Sequence, residues 1–454
     1  MFNLKPETRK ENGEIFRLFW PVFIEHTLAV TIGMVSAMMV SGVGDFAVSG
    51  VSLVETFNFV IISVFQAIAV GATVIVAQKI GAGKTGDAGE TAYQSIIFCV
   101  TMATILGGLV MLGSRQILNV LYGAAADNVL EAGAIYFRFS GISYPFLGLF
   151  AACSGVMRAA GNSRTPMIAS VAANIINVSL AFILIRFGHG VLGVSVAMLC
   201  ARILSGIFAV AMLRNGMHGI IIPLGMPKLT KDILNPVLRV GVPSGIDSLF
   251  FNGARVIMTI FMSGMGTVAL HAHAIGNSLS GFIFLSGNAI GVVAVTMVGQ
   301  AYGARLFNKV RRLMKKMCLF ASVSITLTVI LLVIILDPVM SLYSPSPETA
   351  ELARQLTLSF GILATLIWSF AFCVPQMLRA CGDAKATMYI SVCSLIALRV
   401  FGSWFFGIYL EWGVFGVWMG MFIDWIGRGL GFSIRAFRGA WCKGKTPADD
   451  PDPA

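Results

Sequence analysis

The chain has 454 residues, of which 57% are hydrophobic and 12% charged, and it carries a formal net charge of +11. That is more apolar surface than a soluble fold of this length buries, so a water-soluble globular protein is excluded and a lipid bilayer is the expected surrounding. The surplus Lys and Arg recur in alternate loops between apolar runs and read as topology signals, so no nucleic-acid partner is expected.

Apolar runs bounded by Gly, Pro or charge predict twelve spans. The first six cover residues 15–40, 51–78, 91–113, 134–156, 166–187 and 190–213, and the second six cover 237–262, 270–299, 314–336, 352–376, 387–410 and 412–436. The predicted organisation is a cytoplasmic N-terminal segment (1–14), a first lobe (15–213), a cytoplasmic linker (214–236), a second lobe (237–436) and a cytoplasmic tail (437–454). The connection contains Pro223, Pro227 and Pro236, and the polar, proline-containing end from Lys443 is expected to be disordered. Inner segments hold Arg9, Arg17, Lys79, Lys84, Arg158, Arg164, Arg305 to Lys316, Arg379 and Lys385. Outer loops hold Arg115 and Arg186, which predicts both termini in the cytoplasm. No short cleavable apolar region precedes the first span, so no signal peptide is expected. The eight cysteines are scattered singly, which implies neither a disulfide framework nor a metal site.

The chain repeats itself. Laid on itself with Pro21 over Pro243, it aligns 21–82 with 243–304 without a gap, matching Glu25 with Asp247, Gly44 with Gly266, Gln78 with Gln300 and Gly81-Ala82 with Gly303-Ala304. A second echo with slightly different spacing pairs Arg158, Gly161, Asn162 and Arg164 with Arg379, Gly382, Asp383 and Lys385. Residues that fix backbone shape are in register along with the apolar ones, so the match is duplication rather than shared hydrophobicity. Duplicated halves of this kind mark transporters whose substrate site lies between the repeats.

The stretch from Val70 through Gln78, Gly81, Ala82 and Gly83, with Ala88 and Gln94 beyond it, resembles the multidrug and toxic compound extrusion family. Arg379-Ala380-Cys381-Gly382-Asp383, Gly413 to Trp418, and Gly266 to Leu270 with Ala272-His273 carry the same likeness, which runs through nearly all twelve spans. The resemblance implies an all-α integral membrane fold, two pseudo-symmetric six-helix bundles around a central cleft. It also implies export of organic molecules in exchange for protons or sodium.

Ionisable groups inside spans cost about 2.5–3.5 kcal/mol each at the bilayer centre, so each must face a cavity or a partner. Glu25 and Asp247 hold equivalent repeat positions, each four residues after a proline, on the helices that open each lobe. Glu25 follows Arg17 by about 12 Å of helix, within the inner leaflet. Both rank first for proton or cation coupling, the alternative being carboxylates hydrogen-bonded beside a proline kink. Arg255, near Asn252, could meet an anionic substrate group or form an intramembrane ion pair. Asp424 and Arg428, four apart, suit a local pair, while Arg202 and Arg399 are ambiguous. Asn174 and Asn177 share a face of span five and could bind substrate or join helices. Glu55, Asn58 and Gln66 form a polar row on span two, with Asn277 and Asn288 on span eight. His26 reads as a core histidine, and for His271 and His273, near the outer end of span eight, packing or solvation is the default. The 33 Phe and 23 Met suit an adaptable apolar pocket.

The resembled family often carries an Asp in span one, in the stretch Met34 to Val40, and another in span five after the Asn pair. This chain has Ser36 and Ala181 there. Another branch places an acid where this chain has Phe251, and one in span ten, which here has none. Three readings stay open: coupling relocated to Glu25 and Asp247, a cargo other than a cationic drug, or uncoupled transport. The leading expectation is a cation-coupled antiporter, monomeric, in a prokaryotic cytoplasmic membrane, exporting amphipathic compounds. A flippase or exporter of an anionic or lipid-linked metabolite is the runner-up, ahead of a channel or receptor. No nucleophile–base constellation, phosphate loop or metal spacing is present in the sequence, so neither an enzyme nor a cofactor beyond the coupling ion is expected.

Overall fold

A computed structural model of the chain describes residues 6–123, 126–214, 229–341, 343 and 345–442. Among these residues there is no strand. The helices are α1 (Pro6–Ser41), α2 (Asp45–Gly81), α3 (Thr85–Tyr122), α4 (Asp127–Ala159), α5 (Arg164–Arg186), α6 (Gly190–Arg214), α7 (Lys231–Ser263), α8 (Thr267–Gly303) and α9 (Phe307–Ile334). They continue with α10 (Leu336–Ser341), α11 (Pro347–Trp368), α12 (Val374–Ala380), α13 (Ala384–Ser394), α14 (Phe401–Trp404) and α15 (Gly413–Phe437). The polypeptide divides into two compact units, Met1–Gly241 and Val242–Ala454. Linker residues 215–228, with Pro223 and Pro227, and the tail from Lys443 lie outside the described residues.

Helices run past the apolar windows that announce them. α2 has 37 residues, about 55 Å at 1.5 Å per residue, against a hydrocarbon core of about 30 Å, so its polar ends extend beyond the lipid. α7 starts at Lys231, earlier than the predicted 237, where Asp232 favours a helix first turn, and passes through Pro236. Among the described residues, eleven helical segments have the length and hydropathy to cross a membrane, among them Pro347–Ala380 and Ala384–Tyr409, each a continuous rod. α15 makes the predicted twelfth span. Asp424 and Arg428 lower its hydropathy, yet both are buried and paired with each other at 3.1 Å.

π-helical turns join the pieces of the two late rods: Ser369–Cys373 between α11 and α12, then Leu395–Val400 and Phe405–Tyr409 around α14. Pro375 lacks an N–H and cannot close the regular ladder, which accounts for the first. Ser346 caps α11 by accepting from the Thr349 N–H, with Pro347 at the first helical position.

In the first unit α4 is central and packs against α2, α3 and α6. α3 and α4 cross at Gly107 and Gly141. A Cβ on Gly107 would lie 2.4 Å from the Gly141 carbonyl oxygen, so only glycine permits this approach. In the second unit α8 packs on α9 and α11, and Phe284, Phe360 and Trp425 interlock with ring centroids 5.0–5.9 Å apart. Leu112 and Val120 on α3 are 80% and 84% exposed, which suits side chains that face lipid.

Candidate functional site

Each unit contains a cavity lined by charged side chains, and the second unit has in addition an apolar one of about 470 Å³ lined by Leu249, Phe250, Leu395 and Val400. The charged cavity of the first unit, about 480 Å³, lies among α1, α2, α4, α5 and α6. Glu55 enters it from α2, Arg202 from α6, Asn174 and Asn177 from α5, and Tyr136 from α4. Ser36 and Ala181 line the same cavity. Among the described residues on its wall, Glu55 is the one acid and Arg202 the one base.

A hydrogen-bonded row holds Glu55 in place. The Tyr136 hydroxyl donates to its Oε1 at 2.6 Å and the Asn58 amide at 3.1 Å. Asn58 also donates to Ser140 Oγ and accepts from the Tyr144 hydroxyl at 2.5 Å, and both Asn58 and Tyr144 are fully buried. A buried amide with these partners is a rigid support, because freeing any member would leave a polar group unsatisfied in a dry interior. Arg202 donates from Nη1 to Ser143 Oγ at 2.7 Å, so acid and base are tethered to separate partners.

The charged cavity of the second unit, about 190 Å³, lies among α7, α8, α11, α15 and the π-turn of residues 395–400. Arg255 reaches into it and donates to Asn277 Oδ1 at 3.3 Å. Arg399 stands on the Phe251 face, its Cζ 4.8 Å from the ring centroid, with Nε 3.1 Å from Met258 Sδ. Trp418 Nε1 donates to His273 Nδ1 at 3.1 Å, which leaves the proton of the neutral ring on Nε2. Asp424, fully buried, accepts from Ser394 Oγ at 2.7 Å and faces both Arg428 at 3.1 Å and Arg399 at 3.8 Å.

Glu25 and Asp247 line neither cavity. Arg158, at the C-terminal end of α4, donates to both Glu25 oxygens at 2.7 and 2.8 Å. Arg379, at the end of α12, pairs with Asp247 in the second unit and donates to Thr387 Oγ1 at 3.4 Å. The two echoes of the repeat therefore meet, acid to arginine, once in each unit. The first-ranked acids are partnered instead of facing open space, and each would have to break an ion pair to exchange a cation. Asn252 turns its amide onto the Ser248 carbonyl of its own helix at 2.7 Å.

Of the eight candidates, Glu55, Asn174 and Asn177 come together in the first cavity and Arg255 and Asn277 in the second. In the sequence Arg202 and Arg399 are ambiguous, Tyr136 has no role and His273 reads as packing or solvated. The usable signal was the intramembrane charge of the two arginines; Tyr136 and His273 gave none.

Comparison with known proteins agrees with this architecture. The MatE family model matches residues 21–183 and again 243–405, so its two matches begin at the equivalent prolines Pro21 and Pro243 and keep the register of the internal repeat. An uncharacterised transporter of Bacillus subtilis, YisQ, is 27% identical over 92% of this chain and 92% of its own length. A probable multidrug resistance protein NorM of Thermotoga maritima is 25% identical over 96% of this chain and 94% of its own. The crystal structure of the Vibrio cholerae MATE transporter VcmN superposes with a TM-score of 0.88 at 18% identity, covering 98% of this chain and all of that one. With both halves matched in register and the fold shared end to end, the chain belongs to the multidrug and toxic compound extrusion (MatE) family of membrane transporters.

Proposed function

We propose that the protein exports small amphipathic organic compounds across a prokaryotic cytoplasmic membrane by alternating access, driven by a proton or sodium gradient, with Glu55 as the coupling carboxylate. One observation carries this reading. The positions at which the family resemblance leads one to expect an Asp in spans one and five, here Ser36 and Ala181, line the same cavity as Glu55, so one carboxylate is present there but enters from α2.

The chemistry follows from that placement. A carboxylate exposed on a cavity wall attracts an arriving proton or cation by its charge. Tyr136 and Asn58 donate to one oxygen only, Oε1, and leave Oε2 to face the arriving ion. Asn174 and Asn177 supply neutral amides for a substrate, which suits a site that alternates between cation and cargo. Both termini are assigned to the cytoplasm on the basic bias of the inner loops.

The test is uptake of a fluorescent cationic dye into inverted vesicles under an imposed proton or sodium gradient. Glu55→Gln abolishes the stimulation by the gradient, whereas Glu25→Gln and Asp247→Asn lower the amount of folded protein and keep stimulation per molecule. Full stimulation in Glu55→Gln with loss in either of the other two would move coupling to the arginine-paired acids. Dye movement indifferent to both gradients would make the transporter uncoupled.

A further inference from the structure

We propose that the charged cavity of the second unit binds a small aromatic carboxylate, with Arg255 and Arg399 as its anion-binding pair. The proposal rests on the exporter reading above only in calling this ligand a substrate; the site itself stands on the residues that build it.

The charge balance comes first. Arg255, Arg399 and Arg428 gather about this cavity, and Asp424 is the one carboxylate facing them among the described residues. Asp424 is shared between Arg428 at 3.1 Å and Arg399 at 3.8 Å, so two positive charges are left over. Among the described residues, the hydrogen-bond partner of Arg255 is the neutral Asn277 oxygen, at 3.3 Å. Arg255 is exposed to this space while Arg399 and Arg428 are buried, and for the buried pair an anion offsets the cost of guanidinium charge in a low dielectric.

The second observation is an orphaned donor. Arg399 is 3% exposed, yet its Nη1 makes no hydrogen bond and only faces the shared Asp424 carboxylate at 3.8 Å. Its Nε rests on the Met258 sulfur, a weak acceptor, and its face lies on Phe251. The side chain is thus fixed in place on the cavity lining, held by an aromatic face, a weak sulfur acceptor and an ion pair too long for a hydrogen bond. A planar guanidinium held this way matches a carboxylate, whose two oxygens take two N–H bonds at once.

The repeat supplies a third, independent argument. The register that lays Pro21 on Pro243 also carries Gly33 onto Arg255 and Glu55 onto Asn277, and all four line the cavity of their own unit. At one position the second unit gains a cation; at the other it loses an acid. The two changes act in the same direction and turn a cavity with one acid into one that repels cations.

Size and lining define the rest of the ligand. About 190 Å³ falls below the roughly 300–1,000 Å³ of drug-sized pockets, so a compound of one or two rings fits the scale. Phe284, Phe360, Trp418 and Trp425 supply ring faces and edges for aromatic contact, and the His273 Nε2–H adds a further donor.

Equilibrium dialysis of 2-naphthoate against the full chain in lipid nanodiscs, with empty nanodiscs as blank, tests the site. The expected result is that 2-naphthoate binds at least tenfold more tightly than the uncharged 2-naphthamide and that Arg255→Gln weakens it tenfold or more. Arg399→Gln removes a buried charge and can compromise folding, so a second variant leaves every charge in place. Gly281 lines the cavity with nothing within 4 Å of an added Cβ, and Gly281→Leu fills the space and removes binding. Equal binding of naphthoate and naphthamide overturns the proposal, as does wild-type affinity in folded Arg255→Gln and Gly281→Leu. Dialysis uses no gradient. Failure of the vesicle experiment with naphthoate still bound removes the coupling reading and keeps this site; gradient-driven dye uptake without naphthoate binding does the reverse.

Discussion

Arg158 reaches back 133 residues to Glu25, and Arg379 reaches back 132 residues to Asp247. All four side chains are largely withdrawn from solvent, with side-chain exposures between 10% and 18%. In such a place removing one partner leaves the other charge uncompensated, which costs about 3–5 kcal/mol, whereas removing both costs much less. Glu25→Gln and Arg158→Gln should therefore each lower the thermal midpoint in detergent sharply at a fixed scan rate, and the double variant should recover part of the loss. The coupling within the cycle should be about 1–3 kcal/mol; purely additive losses would mean that the contact contributes nothing. The sequence marked the four residues as repeat equivalents but did not say that acid meets arginine, because that meeting depends on how α1 docks beside the end of α4. Asp424 and Arg428 were legible as a pair because four residues on one helix fix their separation locally.

At the scale of elements, the duplication extends to helix ends. α4 stops at Gly161 (φ 81°) and α12 at Gly382 (φ 82°), and in both the N–H of the next residue reaches the carbonyl five residues back. The ends of α2 and α8 repeat that geometry at Gly83 (φ 74°) and Arg305 (φ 62°), but here one copy has replaced glycine. A left-handed conformation costs an L-residue about 1–2 kcal/mol, against about 0.5–1 kcal/mol of extra chain entropy for glycine. Arg305→Gly should consequently raise the unfolding midpoint by the equivalent of about 0.5–1 kcal/mol. A lowered midpoint would mean that the arginine side chain compensates for the strain. The helices themselves were readable from apolar runs, but their excess length was not, since polar residues beyond the lipid continue a helix as readily as they end one. Nor was the π-turn of residues 395–400, which carries Arg399 onto the cavity wall; no proline marks it, in contrast to the turn before Pro375.

For the whole molecule, the two units share a backbone plan and differ in the charge of the space each encloses. Duplication alone would give two equivalent cavities, and the register of the repeat identifies where they diverged: Gly33 against Arg255, Glu55 against Asn277. This divergence is open to reversal with one substitution. Asn277→Glu returns to the second unit the carboxylate that its counterpart carries, at a position whose amide oxygen already lies 3.3 Å from Arg255. The new acid would take Arg255 as a charge-assisted partner and cancel its positive charge. Binding of 2-naphthoate should then fall at least tenfold, while weak binding of neutral 2-naphthamide stays as it was, since the ring-lined walls are untouched. A parallel fall in both ligands would mean that the substitution collapsed the cavity. Unchanged naphthoate binding would mean that charge at this register position does not set selectivity, and that the two units differ in sequence without differing in preference.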